Sequence, residues 1–131
     1  MMAPLEIAYL DTGVAVWLAQ GSLASLGSRA TALAETASLL ISPIVLLELE
    51  YLLEAGRIKL PARDIHRKIE HELGVRVCGL PFAVIAGAAL DESWTRDPFD
   101  RLIVAHAKAN GFANLISADE EISRHYPRTV W

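Results

Sequence analysis

At 131 residues the chain holds enough sequence for one hydrophobic core and too little for two, so residues 1–131 are expected to form a single domain. Hydrophobic residues make up 53% and charged residues 21%, with a mean hydropathy of +0.31, which excludes a disordered chain and predicts apolar surface left over for a partner. Twelve Lys and Arg against sixteen Asp and Glu give a net charge of −4; this excludes a nucleic-acid binder held by a broad basic face, but not an enzyme that engages nucleic acid locally.

The start, "MMAPLEIAYLD", lacks a basic region followed by an uninterrupted apolar run, and Glu6 and Asp11 punctuate it, so it reads as no signal peptide. The charge-free stretch from Val77 to Leu90 contains Gly79 and Pro81 and is shorter than the roughly 18 residues of a membrane span. A soluble, cytoplasmic protein without a membrane partner is expected. The single cysteine, Cys78, offers no disulfide and no thiolate metal cluster and reads as a small core hydrophobe.

In chain order, "LEIAYL" (5–10) predicts a buried strand ended by Asp11-Thr12-Gly13. "VAVWLAQGS" predicts a short helix ending near Gly21, and "SLASLGSRATALAETA" a second, alanine-rich helix. "SLLIS" (38–42) is a strand, and Ser42-Pro43 supplies an N-cap and a proline at the first position of a helix that ends at Gly56. Residues 61–74 predict an exposed helix, 75–80 a third strand and 81–93 a largely buried helix. "RDPFDRLIVAHAKANG" (96–111) is a helix ending at Asn110-Gly111, 113–118 a fourth strand, "DEEISRHY" a helical turn and "RTVW" a final strand. Short strands, apolar on both faces and alternating with helices, predict an α/β domain with a mostly parallel central sheet of about four to five strands. Ligands of such sheets sit beyond the carboxyl ends of the strands.

The acids fall where that edge would be. Asp11 and Asp119 follow the first and fourth strands. Glu48 lies one and a half turns into the helix after the second strand, among aliphatic neighbours, where a charge needs a partner or a job. Pro98 at the first helical position makes Asp97 an N-cap and puts Asp100 in the first turn, on one face with Val104 and Ala107. Each has a structural reading as well: Asp97 and Asp119 as plain caps, Asp100 as a first-turn acid favoured by the helix dipole, Glu48 in a salt bridge, Asp11 in an Asx-turn. Their joint placement points further, because clustered carboxylates stay ionised only if a cation neutralises them. Oxygen ligands without cysteine select Mg2+ or Mn2+, ions that pair with phosphate substrates.

"YLDTGVAVWLA", "ISPIVLLELEYLLEAGRI", "TRDPFDRLIVAHAKANG" and "NLISADEEI" resemble, in order and spacing over nearly the whole chain, the PIN-domain ribonucleases, and among them the VapC-type toxins of bacterial toxin–antitoxin pairs. The resemblance implies a three-layer PIN-like fold and a metal-dependent endoribonuclease using Asp11, Glu48, Asp100 and Asp119, with Mg2+ or Mn2+ at Asp11, Asp100 and Asp119. Asp97, Thr12 and Ser117 match supporting positions. It also implies a homodimer, an RNA substrate and a cognate VapB-type antitoxin. Gly13, Thr95 and His106 depart from residues frequent in the family (a small polar residue, a histidine and a glutamine), which bears on substrate preference more than on activity. His106 reads as a core or rim histidine.

On this reading the acids hold one or two ions that deliver a water in line to an RNA phosphodiester. Arg96 and Arg101 are expected to contact phosphate or antitoxin, or else to form surface ion pairs. Trp17 and Leu18 are expected in a hydrophobic partner groove. "DTG" also suggests an aspartic protease, but those are all-β and here the motif runs into "VAVWLAQ"; a phosphatase of the haloacid-dehalogenase type wants an aspartate where Gly13 stands. The competing reading is a PIN-like binding module, inactive or activated only in a complex.

Overall fold

The computed structural model describes residues 6–131, so Leu5, the expected first residue of the opening strand, lies outside it. Five strands form one sheet: β1 (Ile7–Leu10), β2 (Ser38–Ile41), β3 (Arg76–Val77), β4 (Asn114–Ile116) and β5 (Thr129–Val130). Their order is β3-β2-β1-β4-β5 and every pairing is parallel. Seven α-helices flank the sheet among the described residues: α1 (Thr12–Gln20), α2 (Ser28–Thr36), α3 (Pro43–Glu54), α4 (Ala62–Leu73), α5 (Phe82–Ala89), α6 (Pro98–Ala109) and α7 (Glu120–His125). The expected α/β class and strand count hold. Among the described residues no helix is long and apolar enough to cross a membrane.

The centre of the sheet is buried on both faces. Ala8, Tyr9, Leu10, Leu115 and Ile116 have no exposed surface, as the unbroken apolar runs of a covered parallel strand require. Tyr9 reaches beyond its strand: its hydroxyl donates to Cys78 Sγ at 3.0 Å and accepts from Asn110 Nδ2 at 2.9 Å. One core phenol thereby ties β1 to the segment after β3 and to the end of α6. Burial pushes that phenol well above its usual range, so it stays a neutral donor.

α1, α3 and α7 each follow a parallel strand directly, and α6 runs back to the start of β4, so the N-termini of these four helices lie at the sheet's carboxyl edge. Strand order reverses between β1 and β4, which makes that part of the edge the topological switch point where open α/β sheets hold ligands.

Four expectations are corrected. The alanine-rich segment 22–37 is not one helix: a 3-10 turn (Leu23–Ser25) precedes α2, with Leu26 and Gly27 between them. Trp131 packs so closely on Gly27 that a Cβ there would lie 2.6 Å from the Trp131 carbonyl carbon, and Thr31 Oγ1 donates to the Leu23 carbonyl at 2.8 Å. Leu18 does not line a partner groove; it is buried in the core, while Trp17 beside it is exposed. The third strand is only two residues long.

The helix expected over 81–93 stops at Ala89 and is not largely buried. Ile85 and Ala89 pack with Ala105 of α6, whereas Phe82, Val84 and Leu90 are 63%, 58% and 75% exposed. A helix apolar all round needs cover on every side, and α6 supplies only one. Beyond it, buried Glu92 turns inward, accepting from Trp94 Nε1 at 2.6 Å and pairing with Lys108 Nζ.

The charged helix α4 ends as its sequence prescribes. Gly74 adopts φ +69°, its N–H donates to the Glu70 carbonyl at 2.9 Å, and the Val75 N–H reaches the Ile69 carbonyl at 3.4 Å, a left-handed glycine cap. Replacing Gly74 by Ala forces a side chain into the left-handed region and is expected to cost about 1 kcal/mol. The midpoint of thermal unfolding should fall by several degrees.

Candidate active site

The register of β1 on β4 opposes Leu10 to Ile116, so the residues just beyond the two strands meet. Asp11 N–H donates to the Ile116 carbonyl at 3.0 Å, and Ser117 Oγ donates to Asp11 Oδ2 at 2.7 Å. The other carboxylate oxygen caps α1, accepting the Thr12 N–H at 2.8 Å. Ser117 Oγ also accepts the Asp119 N–H at 3.1 Å, and Asp119 Oδ1 caps α7 through the Ile122 N–H at 2.9 Å. One buried hydroxyl therefore links the two strand-end aspartates.

Glu48 arrives from the neighbouring strand. Ser42 caps α3 by accepting the Ile44 N–H, Pro43 fills the first helical position, and the helix carries Glu48 back over α1. There Glu48 Oε1 accepts a 2.5 Å hydrogen bond from buried Thr12 Oγ1. Asp97 caps α6, accepting Phe99 N–H at 2.9 Å and Asp100 N–H at 3.5 Å. Asp100 stands one turn above the fully buried Val104 and Ala107, and its carboxylate accepts no hydrogen bond from the described residues.

The five acids feel one another. Burial is the main cause that raises the Asp11 carboxyl above its ordinary range; Ser117 and Thr12 oppose it by donating, while Asp119 and Asp97 add repulsion. Burial likewise raises Glu48, against the Thr12 hydrogen bond and with the charges of Asp11 and Asp97. Asp100, which has no donor, is pushed up to about 7 by burial and then by Asp97, Asp11, Asp119 and Glu48. The structure thus brings together all the acids singled out in the sequence. As the side chains lie, no three His, Cys, Asp or Glu among the described residues are arranged to hold a metal ion; Asp11, Asp119 and Asp97 each accept backbone N–H groups.

The basic residues of the segment divide. Arg101 Nε donates to the Thr95 carbonyl at 2.8 Å and so fastens the approach to α6, whereas Arg96 is exposed. Neither forms an ion pair among the described residues. His106 is a core histidine: it is buried, its Nδ1 lies 2.8 Å from Ser42 Oγ, and burial lowers its pKa. Sequence reasoning passed over Arg29, which with Ser117, Asp119 and Trp131 lines a cavity of about 290 Å3 at the edge of the acids. Nothing local marks it; α2 and β5 meet there only in three dimensions.

The PIN domain family model matches residues 8–126. This chain belongs to the PIN-domain family. Among other members of that family, it is 34% identical over 129 residues to Ribonuclease VapC22 of Mycobacterium tuberculosis, covering 93% of this chain and 96% of that protein. In fold this PIN domain is similar to a toxin–antitoxin complex from Klebsiella pneumoniae, with a TM-score of 0.62 at 19% identity over 95% of this chain and 96% of that one. It is also similar to VapBC2 from Rickettsia felis bound to a promoter DNA fragment, with a TM-score of 0.59 at 19% identity over 95% and 99% of the chains.

The raised carboxyl of Asp100 makes stability depend on pH. The folded chain holds this proton up to about pH 7, while the unfolded chain releases it near pH 4. Stability from this group is therefore present below about pH 4 and is lost as pH rises through 7. Asp100→Asn removes the cost of the buried charge. In metal-free buffer it should raise the unfolding midpoint at pH 8 by a few degrees, on the order of 1–2 kcal/mol after allowing for solvent screening, and change little at pH 4.

The cap at Asp97 separates charge from hydrogen bonding. Asp97→Ala should cost about 1 kcal/mol in urea unfolding, and Asp97→Asn, which still caps, much less.

Proposed function

We propose that this chain is a metal-dependent endoribonuclease, the toxin of a VapBC-type toxin–antitoxin pair. The observation that carries the reading is the convergence of Asp11, Glu48, Asp100 and Asp119 at the switch point of a PIN-domain sheet, in a chain 34% identical over nearly its full length to a VapC ribonuclease. The donors fit a hard divalent ion: they are all oxygen, and Asp100 combines partial burial with repulsion from four other acids and no donor of its own. Mg2+ is usually bound through one or two carboxylates and its own waters rather than by an all-protein cage, which suits acids that do not yet share one point.

Asp11, Asp100 and Asp119 are assigned to hold the ion. When bound, Mg2+ or Mn2+ lowers the pKa of a coordinated water and polarises a phosphoryl oxygen. Ser117 and Thr12 orient the acids: the first fixes the Asp11 carboxylate against Asp119, and the second fixes Glu48. Glu48, so fixed, is assigned to orient the attacking water and accept its proton as the phosphorus–oxygen bond to the leaving nucleotide breaks. Asp97 supports the site from the cap of α6. Exposed Arg96 is assigned to an RNA phosphate or to the antitoxin, and Arg101 to positioning the loop.

Both structural neighbours come from toxin–antitoxin systems, which supports a cognate VapB-type antitoxin as partner. The exposed Phe82, Val84 and Leu90, with Leu47 and Tyr51 of α3, supply apolar surface for a homodimer. A cytoplasmic location completes the reading. The PIN-like binding module differs from it in one respect, the absence of turnover.

Purified chain, freed of any antitoxin, should cleave RNA in Mg2+ and stop in EDTA, and Asp11→Asn should lower the rate by at least about a hundredfold. Cleavage that survives both would remove the metal mechanism, and no cleavage of any RNA would favour the binding module. Phe82→Asp combined with Leu90→Asp should shift the chain from dimer to monomer in sedimentation, with the fold retained.

A further inference from the structure

The sequence places three tryptophans in 131 residues, and two of them meet at the rim of the core, where Trp131 is half-buried. Trp17 and Trp131 pack at 5.4 Å between ring centroids with planes 53° apart, and Trp17 remains 42% exposed. Trp131 follows β5, whose register against β4 puts Val130 opposite Ile116, and Ser117 N–H donates to the Val130 carbonyl at 3.2 Å. The ring is thereby delivered to the carboxyl edge of the sheet, next to Ser117 and Asp119.

Its seat is built for it. Gly27 lets the chain of Trp131 approach where any Cβ would collide, at 2.6 Å from the carbonyl carbon and 2.9 Å from the ring carbon Cδ1. Arg29, two residues on in the first turn of α2, faces the same cavity of about 290 Å3 as Ser117, Asp119 and Trp131. It forms no ion pair among the described residues. Trp131 also lines a second cavity, of about 340 Å3, together with Trp17, Gln20 and Ser25. Trp131 thus borders both cavities.

We infer that Trp131 and Arg29 form a nucleotide subsite that receives the RNA next to the scissile phosphate, Trp131 stacking on its base and Arg29 contacting its phosphate. The inference rests on the nuclease reading and adds where the substrate lies. An indole presented beside an anionic site provides sequence-tolerant stacking for an unpaired base. The guanidinium supplies a local positive charge in a chain whose net charge is −4, on an anionic substrate that must also pass the acids. Asp119 and Ser117 belong both to this cavity and to the acid cluster, so a nucleotide held there would lie beside the acids.

The test measures binding apart from cleavage. In an Asp11→Asn background, affinity for a short fluorescein-labelled single-stranded RNA of mixed sequence is read by anisotropy across salt concentrations. Trp131→Ala should weaken binding about tenfold and Trp131→Phe should restore most of it. Arg29→Ala, a change at an exposed side chain, should weaken binding several-fold and reduce the salt slope by about one. On an abasic version of the oligonucleotide, Trp131→Ala should bind like its parent. With Asp11 present, Trp131→Ala should raise KM more than it lowers kcat.

Equal affinity of parent, Trp131→Ala and Arg29→Ala would overturn the subsite and leave the nuclease standing, with the aromatic pair free to serve a protein partner. Trp131→Phe as weak as Trp131→Ala, or a defect that persists on abasic RNA, would reduce Trp131 to a structural role and also overturn it. A parent chain that cleaves no RNA and is indifferent to Asp11→Asn would instead remove the nuclease reading, and the subsite with it.

Discussion

Negative charge gathered at the carboxyl edge of a parallel sheet is the constraint on which the rest of the structure depends. Five acids share that edge, and burial together with mutual repulsion raises Asp11, Glu48 and Asp100 above their ordinary ranges. Such a cluster opposes folding unless something answers it. Three of the acids are answered by helix N-termini: Asp11, Asp97 and Asp119 each cap a helix and accept its free N–H groups. Two hydroxyls answer further, Ser117 donating to Asp11 and Thr12 to Glu48. Asp100 alone of the five accepts no hydrogen bond from the described residues, so its charge is the one left unanswered.

The scaffold behind the acids is correspondingly apolar. β4 is buried throughout and β1 from Ala8 to Leu10, α6 carries Ile103, Val104 and Ala107 in the core beneath Asp100, and Leu49 is buried next to Glu48. The charged first turn of α6 is thus mounted on a buried apolar face. Several polar groups that lie inside are paired: Tyr9 with Cys78 and Asn110, Ser42 with His106 Nδ1, Glu92 with Trp94 and Lys108, whereas His66 Nε2 and His106 Nε2 have no partner among the described residues. The links of Tyr9 and Ser42 join segments distant in sequence and brace the sheet behind the site.

Much of this was legible in the residues. Ser42-Pro43 and Asp97-Pro98 announce their helices through local chemistry, a side chain that accepts an N–H and a ring that fixes φ, and both helices begin there. Asp11 and Asp119 could be placed at one edge as soon as their strands were taken as parallel. Where the reading failed, the deciding contact was distant. Alanine-rich residues 22–37 carry helical propensity throughout, yet Trp131 docking on Gly27 accompanies a break between the 3-10 turn and α2. Leu18 and Trp17 are adjacent and both apolar, and only the fold turns one inward and the other out. α5 looked like a core helix because hydrophobicity alone does not say whether a neighbour exists to cover it.

By itself, then, the sequence determined the α/β class, the starts of α3 and α6 and the positions of the acids along the chain, because periodicity, capping and proline geometry act over a few residues. The tertiary structure decided which hydroxyl holds which carboxylate, that Asp100 lacks a donor, and that Arg29 and Trp131 border the same cavity as Asp119. Those relations arise from strand register and order, which join residues more than a hundred positions apart, and no local pattern encodes them.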